Sequence, residues 1–234
     1  MNRASPIVVL LAVFAATATA MASVYTITFE GLADGEQIGN YYAGGLGGNG
    51  SGPGPNFGVT FAGNSGFAII SASSGGSGSF ANNPSGDTVA YFLAAAPTMN
   101  VSGGFVNSLA FFYSDYYIEG MVAVYDGLNG TGNVLASHNL ATTPMGSVDT
   151  PYDYWQNVSL AFNGTAQSVV FSAPSDQSGL GLGQVFGLDD VSLGQPNGAP
   201  AVPEPAAIVI WLLLAGLGIA GYCRRGRKRP NAVG

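Results

Sequence analysis

Two adjacent carboxylates, Asp189 and Asp190, are the residues whose type and spacing point most directly to chemistry. The apolar residues at 186 and 188 lie one position out of phase with those that follow the pair. Because side chains alternate along a strand, a β-bulge at the pair would return the later apolar residues to the same face. At the resulting kink, at least one carboxylate can turn towards a cation. Alternatively, both cap the bulge or face solvent.

The charge of the chain is strongly segregated along the sequence. All 13 acidic residues lie between Glu30 and Glu204, and all six basic residues lie nearer the two ends. Residues 23–205 therefore contain no lysine or arginine, so internal ion pairs are limited to His138 and a terminal amine. A bound cation would neutralise some of these carboxylates. The low positive charge argues against a nucleic-acid partner.

Few residues in the chain are suited to catalysis or to transition-metal binding. A single cysteine and a single histidine exclude a disulfide framework, a cysteine-based metal cluster and a multi-histidine metal site. His138 follows Ser137, which predicts side chains on opposite strand faces and no catalytic triad. Paired carboxylates could hydrolyse glycosides, but nothing in the sequence selects such a pair. We therefore expect a protein that is not an enzyme, with a secreted hydrolase as the alternative.

Two segments, residues 113–117 and 152–155, combine tyrosine or tryptophan with aspartate. Aromatic faces can stack on sugar rings, and carboxylates can accept hydrogen bonds from sugar hydroxyls. Tyr154 and Trp155 are therefore candidate glycan contacts. The cores and strand ends of β-sandwiches use the same residue types, which is the alternative explanation.

The elements that must position these residues are predicted to be strands. Short runs rich in valine, isoleucine, phenylalanine, tyrosine and threonine alternate with glycine, asparagine, proline and aspartate. The predicted fold is all-β, a two-sheet β-sandwich of jelly-roll-like order over residues 23–194. Asn129-Gly130 and Asn163-Gly164 predict turns. The predicted strands are Val24–Phe29, Gly58–Ala62, Phe67–Ser71, Thr88–Leu93, Asn107–Tyr113, Ile118–Tyr125, Val134–Asn139, Tyr154–Phe162, Gln167–Ser172 and Val185–Leu193.

A glycine-rich stretch, residues 44–54, interrupts this pattern. Glycine-rich loops can bind phosphate, but this one lacks the lysine and the following helix that such a site requires. We therefore expect a flexible surface loop.

The N-terminal residues 1–22 have the pattern of a secretory signal peptide. Arg3 precedes an apolar run at residues 7–16, and small residues lead to Ala20-Met21-Ala22, after which cleavage is expected. The alternative, a transmembrane anchor, requires a longer apolar run.

A second apolar segment, residues 206–223, predicts a single transmembrane helix. Its 18 uncharged residues would span roughly 27 Å as a helix. A basic tail at residues 224–229 follows at once, and residues 195–202 form a linker before the sorting segment. By the positive-inside rule the tail stays in the cytoplasm, which places residues 23–203 outside. The basic residues are Arg224, Arg225, Arg227, Lys228 and Arg229.

Immediately before the helix stands the motif Pro203, Glu204, Pro205. Two prolines around a glutamate favour extended, exposed backbone, which a processing enzyme needs. The motif, span and basic tail together, residues 203–230, resemble the PEP-CTERM sorting signal of bacterial exported proteins. The resemblance implies processing by an exosortase, a membrane cysteine transpeptidase. It also implies export through the inner membrane, a transient anchor, and a final place at the cell surface or in an exopolysaccharide matrix.

A further resemblance concerns the two ends of the predicted sandwich. Phe29-Glu30-Gly31 and Leu188-Asp189-Asp190-Val191 are similar to the ends of carbohydrate-binding-module-type jelly rolls, which often hold a structural calcium. The resemblance implies Glu30 and one of Asp189 or Asp190 as ligands, with backbone carbonyls completing six to eight oxygens. The function expected from the sequence is structural or adhesive, and the alternative is binding of extracellular polysaccharide.

Overall fold

Short runs of β-branched and aromatic residues form ten antiparallel strands in the computed structural model, which describes residues 24–62, 66–93, 97–172 and 185–194. The all-β prediction is confirmed. In these ranges no helix has the length and apolar character needed to cross a membrane. The predicted signal peptide, linker, helix 206–223 and basic tail lie outside them. The strands are β1 Val24–Ile27, β2 Glu36–Gln37, β3 Val59–Phe61, β4 Phe67–Ile70, β5 Thr88–Leu93, β6 Thr98–Ser114, β7 Gly120–Tyr125, β8 Val134–Leu140, β9 Gln156–Ser172 and β10 Val185–Gly194.

The strands form one hydrogen-bonded network in the order β2-β4-β5-β10-β6-β9-β7-β8. In addition, β1 pairs with β10, and β3 pairs with β6. The register of the β1–β10 pair runs from Val24 opposite Gly194 to Ile27 opposite Val191. The two ends of the domain are therefore neighbours, which brings the acidic residues that follow β1 close to those within β10.

The network folds over on itself around one apolar core. Phe92 on β5 and Phe171 on β9 are three strand steps apart in the order, which would be roughly 14 Å in a flat sheet. Their ring centroids are 6.1 Å apart, and Phe171 also stacks edge-on against Phe111 at 5.4 Å. The two halves of the network therefore face each other as layers. The largest fully buried apolar side chains in the core include Phe29, Phe92, Phe105, Phe111, Tyr113, Met99, Leu109, Leu188 and Leu193.

Two long strands correct the predicted boundaries. β6 begins nine residues before the predicted Asn107, and its register against β9 shifts between Asn100 and Phe105 and again between Val106 and Ser108. The polar and glycine residues there make bulges inside a strand. The turn predicted at Asn163-Gly164 is wrong for the same reason. β9 continues through it because Phe162 packs in the core at 5.4 Å from the Phe105 ring.

The glycine-rich stretch at residues 44–54 lies largely exposed, as expected of a surface loop, and also makes specific contacts that the sequence did not indicate. It wraps around Glu36, whose carboxylate is fully buried. That carboxylate accepts backbone N–H groups of Ala33 and Asn49 at 2.7 Å and of Ser51 at 3.1 Å. Although burial alone would raise it, these hydrogen bonds lower the pKa of Glu36 to about 2. Gly47 is required because a Cβ there would press on the same carboxylate.

Candidate cation site and aromatic loop surface

The predicted bulge at the acidic pair is confirmed. The register of β10 against β6 shifts between Asp189 and Ser192, and Asp190 has a left-handed φ of 50°. This geometry turns the Asp189 side chain inwards, where it is fully buried. Asp190 remains half-buried and donates its backbone N–H to Asp189 Oδ1 at 2.7 Å.

Asp189 is bound by one residue of a distant loop. Ser85 donates its backbone N–H to Oδ2 at 3.0 Å and its hydroxyl to Oδ1 at 3.3 Å. Burial raises the pKa of Asp189 to about 7, although hydrogen bonds from Ser85 and Asp190 favour the carboxylate. The sequence places no lysine or arginine in this domain to compensate the charge.

Glu30, which follows β1, contacts the same loop from the other side. Its Oε1 accepts the backbone N–H groups of Asp87 at 2.9 Å and Thr88 at 2.8 Å. Gly86, between Ser85 and Asp87, has a left-handed φ of 47°, and a Cβ there would collide with the Glu30 carboxylate. Glu30 and Asp189, 159 positions apart in the numbering, therefore converge on residues 85–88.

Two neutral groups near this convergence are buried without hydrogen-bond partners among the described residues. They are the side-chain amide of Asn83, two positions before Ser85, and the hydroxyl of Tyr42. The Tyr42 ring packs edge-on against Phe29 at 5.9 Å. Burial raises the pKa of Tyr42, and the charges of nearby groups, Glu30 and Asp189 among them, raise it further.

These groups supply the donor chemistry that calcium prefers. Carboxylate, amide and hydroxyl oxygens are hard ligands, and calcium takes six to eight of them. Over residues 24–194, as far as they are described, no three histidine, cysteine, aspartate or glutamate side chains cluster closely enough to hold a metal. A cation here would therefore depend on Glu30, Asp189 and neutral oxygens. The residues present fit that composition.

The two aromatic–acidic segments singled out in the sequence meet at one end of the domain. The rings of Tyr116 and Tyr152 lie 4.8 Å apart, and Tyr117 packs on Tyr116 at 6.1 Å. Tyr152 continues the cluster to Phe80, at 5.0 Å. Phe80 and Tyr152 are buried and form a small apolar cluster with Val89, against which Tyr116 and Trp155 pack. We call this cluster, with the exposed Tyr117 and Tyr154 beside it in the sequence, the aromatic loop surface.

The two predicted glycan contacts occupy different positions on this surface. Tyr154 is 51% exposed, so its ring is open to a ligand. Trp155 is half-buried, its ring lies 5.9 Å from Phe80, and its indole N–H donates to the carbonyl of Ala81 at 2.9 Å. Tyr117, 55% exposed, presents a second open ring.

One acidic residue of this surface, Asp115, holds a loop in place. Asp115 is buried, which raises its pKa, and its Oδ1 accepts the backbone N–H groups of Tyr117 and Ile118 at 3.0 and 3.2 Å. The Asp153 carboxylate lies against Gly146, where a Cβ would collide with it. His138 lies apart from them, exposed on β8 opposite Val122.

Sequence reasoning missed residues 79–88 as the partner of both features. These residues carry Phe80 and Ala81 at the aromatic loop surface and Ser85, Asp87 and Thr88 at the two carboxylates. The only local signal is a run of turn-forming residues, Asn82-Asn83-Pro84-Ser85-Gly86. That run predicts a loop but does not indicate what the loop binds.

Solved structures similar to this chain share little sequence with it. The K1 cleaved adhesin domain of Lys-gingipain from Porphyromonas gingivalis W83 is 11% identical with a TM-score of 0.42, covering 74% of this chain and 99% of that one. A family 6 carbohydrate-binding module is 11% identical with a TM-score of 0.36, covering 58% and 87%. TmCBM61, solved with β-1,4-galactotriose, is 17% identical with a TM-score of 0.35, covering 59% and 87%. At these values the likenesses carry no functional argument. No curated protein matches the chain.

A family model identifies the segment that follows the domain. Residues 201–228 match the model described as the PEP-CTERM protein-sorting motif. The match contains the predicted Pro203, Glu204 and Pro205 and extends into the basic tail as far as Lys228. The resemblance stated from the sequence is confirmed. The chain carries a PEP-CTERM protein-sorting motif and is thereby marked as an exported protein with a C-terminal sorting region.

Proposed function

We propose that the chain is a non-enzymatic exported protein that an exosortase-type membrane enzyme processes at its sorting signal. The mature domain then resides at the cell surface or in the extracellular matrix, in a structural or adhesive role. The observation that carries the proposal is the family match over residues 201–228. The apolar segment 206–223 serves as a single-pass anchor, and the basic tail holds its cytoplasmic end.

The use of the acidic side chains supports a role without catalysis. In the described ranges, most of the carboxylates that form hydrogen bonds accept backbone N–H groups. These carboxylates therefore hold loops in place, which is a structural role. Asp34 accepts the N–H groups of Ile70 and Ser77, and Asp126 accepts that of Asn133. Glu30, Glu36, Asp115 and Asp189 act in the same way.

An epitope inserted after Val148 tests export directly. Val148 is 88% exposed, in a loop held by hydrogen bonds between Ser147 and Thr150, so an insertion there leaves the core intact. We expect an antibody to label the epitope on intact cells, with a cytoplasmic protein as the control that is labelled only after lysis. Labelling of the epitope only after lysis would contradict the proposal.

We further propose a structural calcium between Glu30 and Asp189. When bound, the ion would supply positive charge that the domain's own side chains lack. Asp189 would hold it from the bulge and Glu30 from the end of β1, with backbone carbonyls completing the oxygens. The half-buried Asp190 is the alternative ligand on β10.

A second candidate function, polysaccharide binding, is favoured by one observation. Two aromatic–acidic segments far apart in sequence meet through Tyr116 and Tyr152, and each segment also carries one open ring, Tyr117 in the first and Tyr154 in the second. Such rings can stack on sugars, and this function is compatible with an adhesive role in a matrix.

Replacing Tyr154 by alanine is expected to weaken polysaccharide binding about fivefold, since one aromatic contact is worth about 1 kcal/mol. Tyr117→Ala should weaken binding by a similar factor.

Trp155→Phe should lower the stability of the folded domain in addition to weakening binding, because it removes the indole hydrogen bond to the Ala81 carbonyl. Affinity electrophoresis of the full chain in gels containing neutral polysaccharides measures the change, with the exposed Val134→Ala on β8 as control. Binding that survives the double tyrosine variant excludes this surface, and hydrolysis of the polysaccharide would contradict the non-enzymatic proposal.

A further inference from the structure

Residues 79–88, which we call the strap, connect the candidate cation site with the aromatic loop surface. The strap runs from Ser79, beside the tyrosines, to Thr88, at the start of β5. Each of the two features is built partly from this one segment.

The first half of the strap forms the floor of the aromatic loop surface. Ser79 accepts the backbone N–H of Tyr152, and Ala81 donates its N–H to the carbonyl of Tyr152, each at 3.3 Å. Ala81 also accepts the indole N–H of Trp155. Phe80 is buried over Gly187, where a Cβ would collide with its ring, and Gly187 lies two residues before Asp189. Displacing this half of the strap would move the support of Trp155.

The second half contacts the two carboxylates and, at its C-terminal end, β4: the Asp87 carbonyl accepts the N–H of Ser71 at 2.9 Å, and Thr88 lies opposite Ile70. Ser85 binds Asp189, while Asp87 and Thr88 bind Glu30. In the part of the chain that the structure describes, the Asn83 amide between the two halves is buried without a partner. The hydrogen bonds that the structure describes for Ser85 go to Asp189, so the position of Ser85 depends on where that carboxylate lies.

Three residues, Asn82, Asn83 and Pro84, join the two halves. Asn82 has a left-handed φ of 54°, and Pro84 fixes its own φ and restricts Asn83. A link this short and restricted gives the chain little freedom to absorb a displacement of Ser85 before it reaches Ala81. Movement at the carboxylates is therefore transmitted to the indole of Trp155.

We propose that the strap couples a divalent cation at Glu30 and Asp189 to the order of the aromatic loop surface, so that calcium controls the ligand-binding state of that surface. This inference rests on the proposed calcium site. A cation bound by these two carboxylates fixes their positions, and with them the N–H group of Ser85 that Asp189 accepts. The fixed strap then holds Phe80 and Ala81 against Tyr152 and Trp155.

The test uses the fluorescence of Trp155 in the full chain in detergent. The chain has two tryptophans, so Trp211→Phe makes Trp155 the sole reporter. Titration with calcium chloride is expected to shift the emission to shorter wavelength and to reduce acrylamide quenching. The midpoint should match that of the calcium-dependent rise in melting temperature. Asp189→Asn should abolish both responses.

A second variant separates the coupling from the cation site. Pro84→Gly loosens the link but leaves Glu30, Ser85 and Asp189 in place, so calcium should still raise the melting temperature while the Trp155 response is lost or much reduced. A rise in melting temperature without any Trp155 response in the Trp211→Phe chain overturns the coupling and leaves the calcium site standing. The absence of both responses overturns the two proposals together. A Trp155 response that persists in Asp189→Asn assigns it to another site and also overturns the coupling.

Discussion

Saturating calcium is expected to raise the melting temperature of the chain by about 5–10 °C. An ion that binds only the folded state at a hundred times its Kd contributes about 2.7 kcal/mol, and 1 kcal/mol corresponds to about 2–4 °C in a domain of this size. The gain arises because Asp189 is buried, with its pKa raised to about 7, and because residues 23–205 contain no lysine or arginine that could supply a counter-charge. Differential scanning calorimetry of the full chain in detergent, with calcium and with excess chelator, measures it.

Neutral variants of the acidic residues identify the ligands. Asp189→Asn is expected to remove the calcium-dependent rise, and Glu30→Gln should reduce it strongly. The matched control is Asp126→Asn, because Asp126 also accepts a backbone N–H, that of Asn133, but lies in the β7–β8 connection. Its calcium response should equal that of the wild type. If Asp190→Asn abolishes the rise and Asp189→Asn does not, Asp190 is the ligand. An identical melting temperature with calcium and with chelator would refute the site.

Replacing Glu36 by glutamine is expected to lower the free energy of unfolding by about 2 kcal/mol at neutral pH. The two charged oxygens of Glu36 accept three backbone N–H groups, whereas glutamine offers one neutral acceptor oxygen. Hydrogen bonds to charged groups are worth about 1.5–3 kcal/mol, so their loss lowers stability. Urea unfolding of both proteins measures the difference. Glu119→Gln makes the same chemical change at an exposed site and should shift stability by less than about 0.5 kcal/mol.

The effect of Glu36 should depend on pH in a defined direction. Its pKa is lowered from an ordinary value of 4.5 to about 2 in the folded chain, so the unfolded state binds the proton more tightly. The stabilisation is therefore fully present above pH 4.5 and is lost as the pH falls through 2. The difference between wild type and Glu36→Gln should shrink over that window. A difference that stays constant across it would show that the charge of Glu36 is not what stabilises the loop.

The elements that depend on local pattern were predictable from the sequence. Alternating β-branched and aromatic residues predicted the strands, and the phase change at Asp189-Asp190 predicted the bulge that the register confirms. Pro203-Glu204-Pro205, an apolar run and a basic tail predicted the sorting motif because its signal lies in adjacent residues.

Features that depend on contacts between distant residues were not predictable. Nothing near residues 44–54 shows that their N–H groups surround the carboxylate of Glu36, and nothing near Ser85 shows that it binds Asp189, 104 positions away. Trp155 was predicted as a glycan contact from its residue type, but exposure is set by tertiary packing, and its indole is committed to Ala81. Asn163-Gly164 has the composition of a turn, yet core packing of Phe162 keeps it within β9.

The intact mass of the mature protein extracted from the cell surface tests the central claim most directly. We expect a chain that begins at Ser23 and ends near Glu204, without the basic residues 224–229. Such a mass would establish export, removal of the signal peptide and processing at the sorting motif in one measurement. A surface protein whose mass still includes the basic residues 224–229 would contradict processing, and recovery of the full 234-residue chain from the cytosol instead of the surface would contradict export.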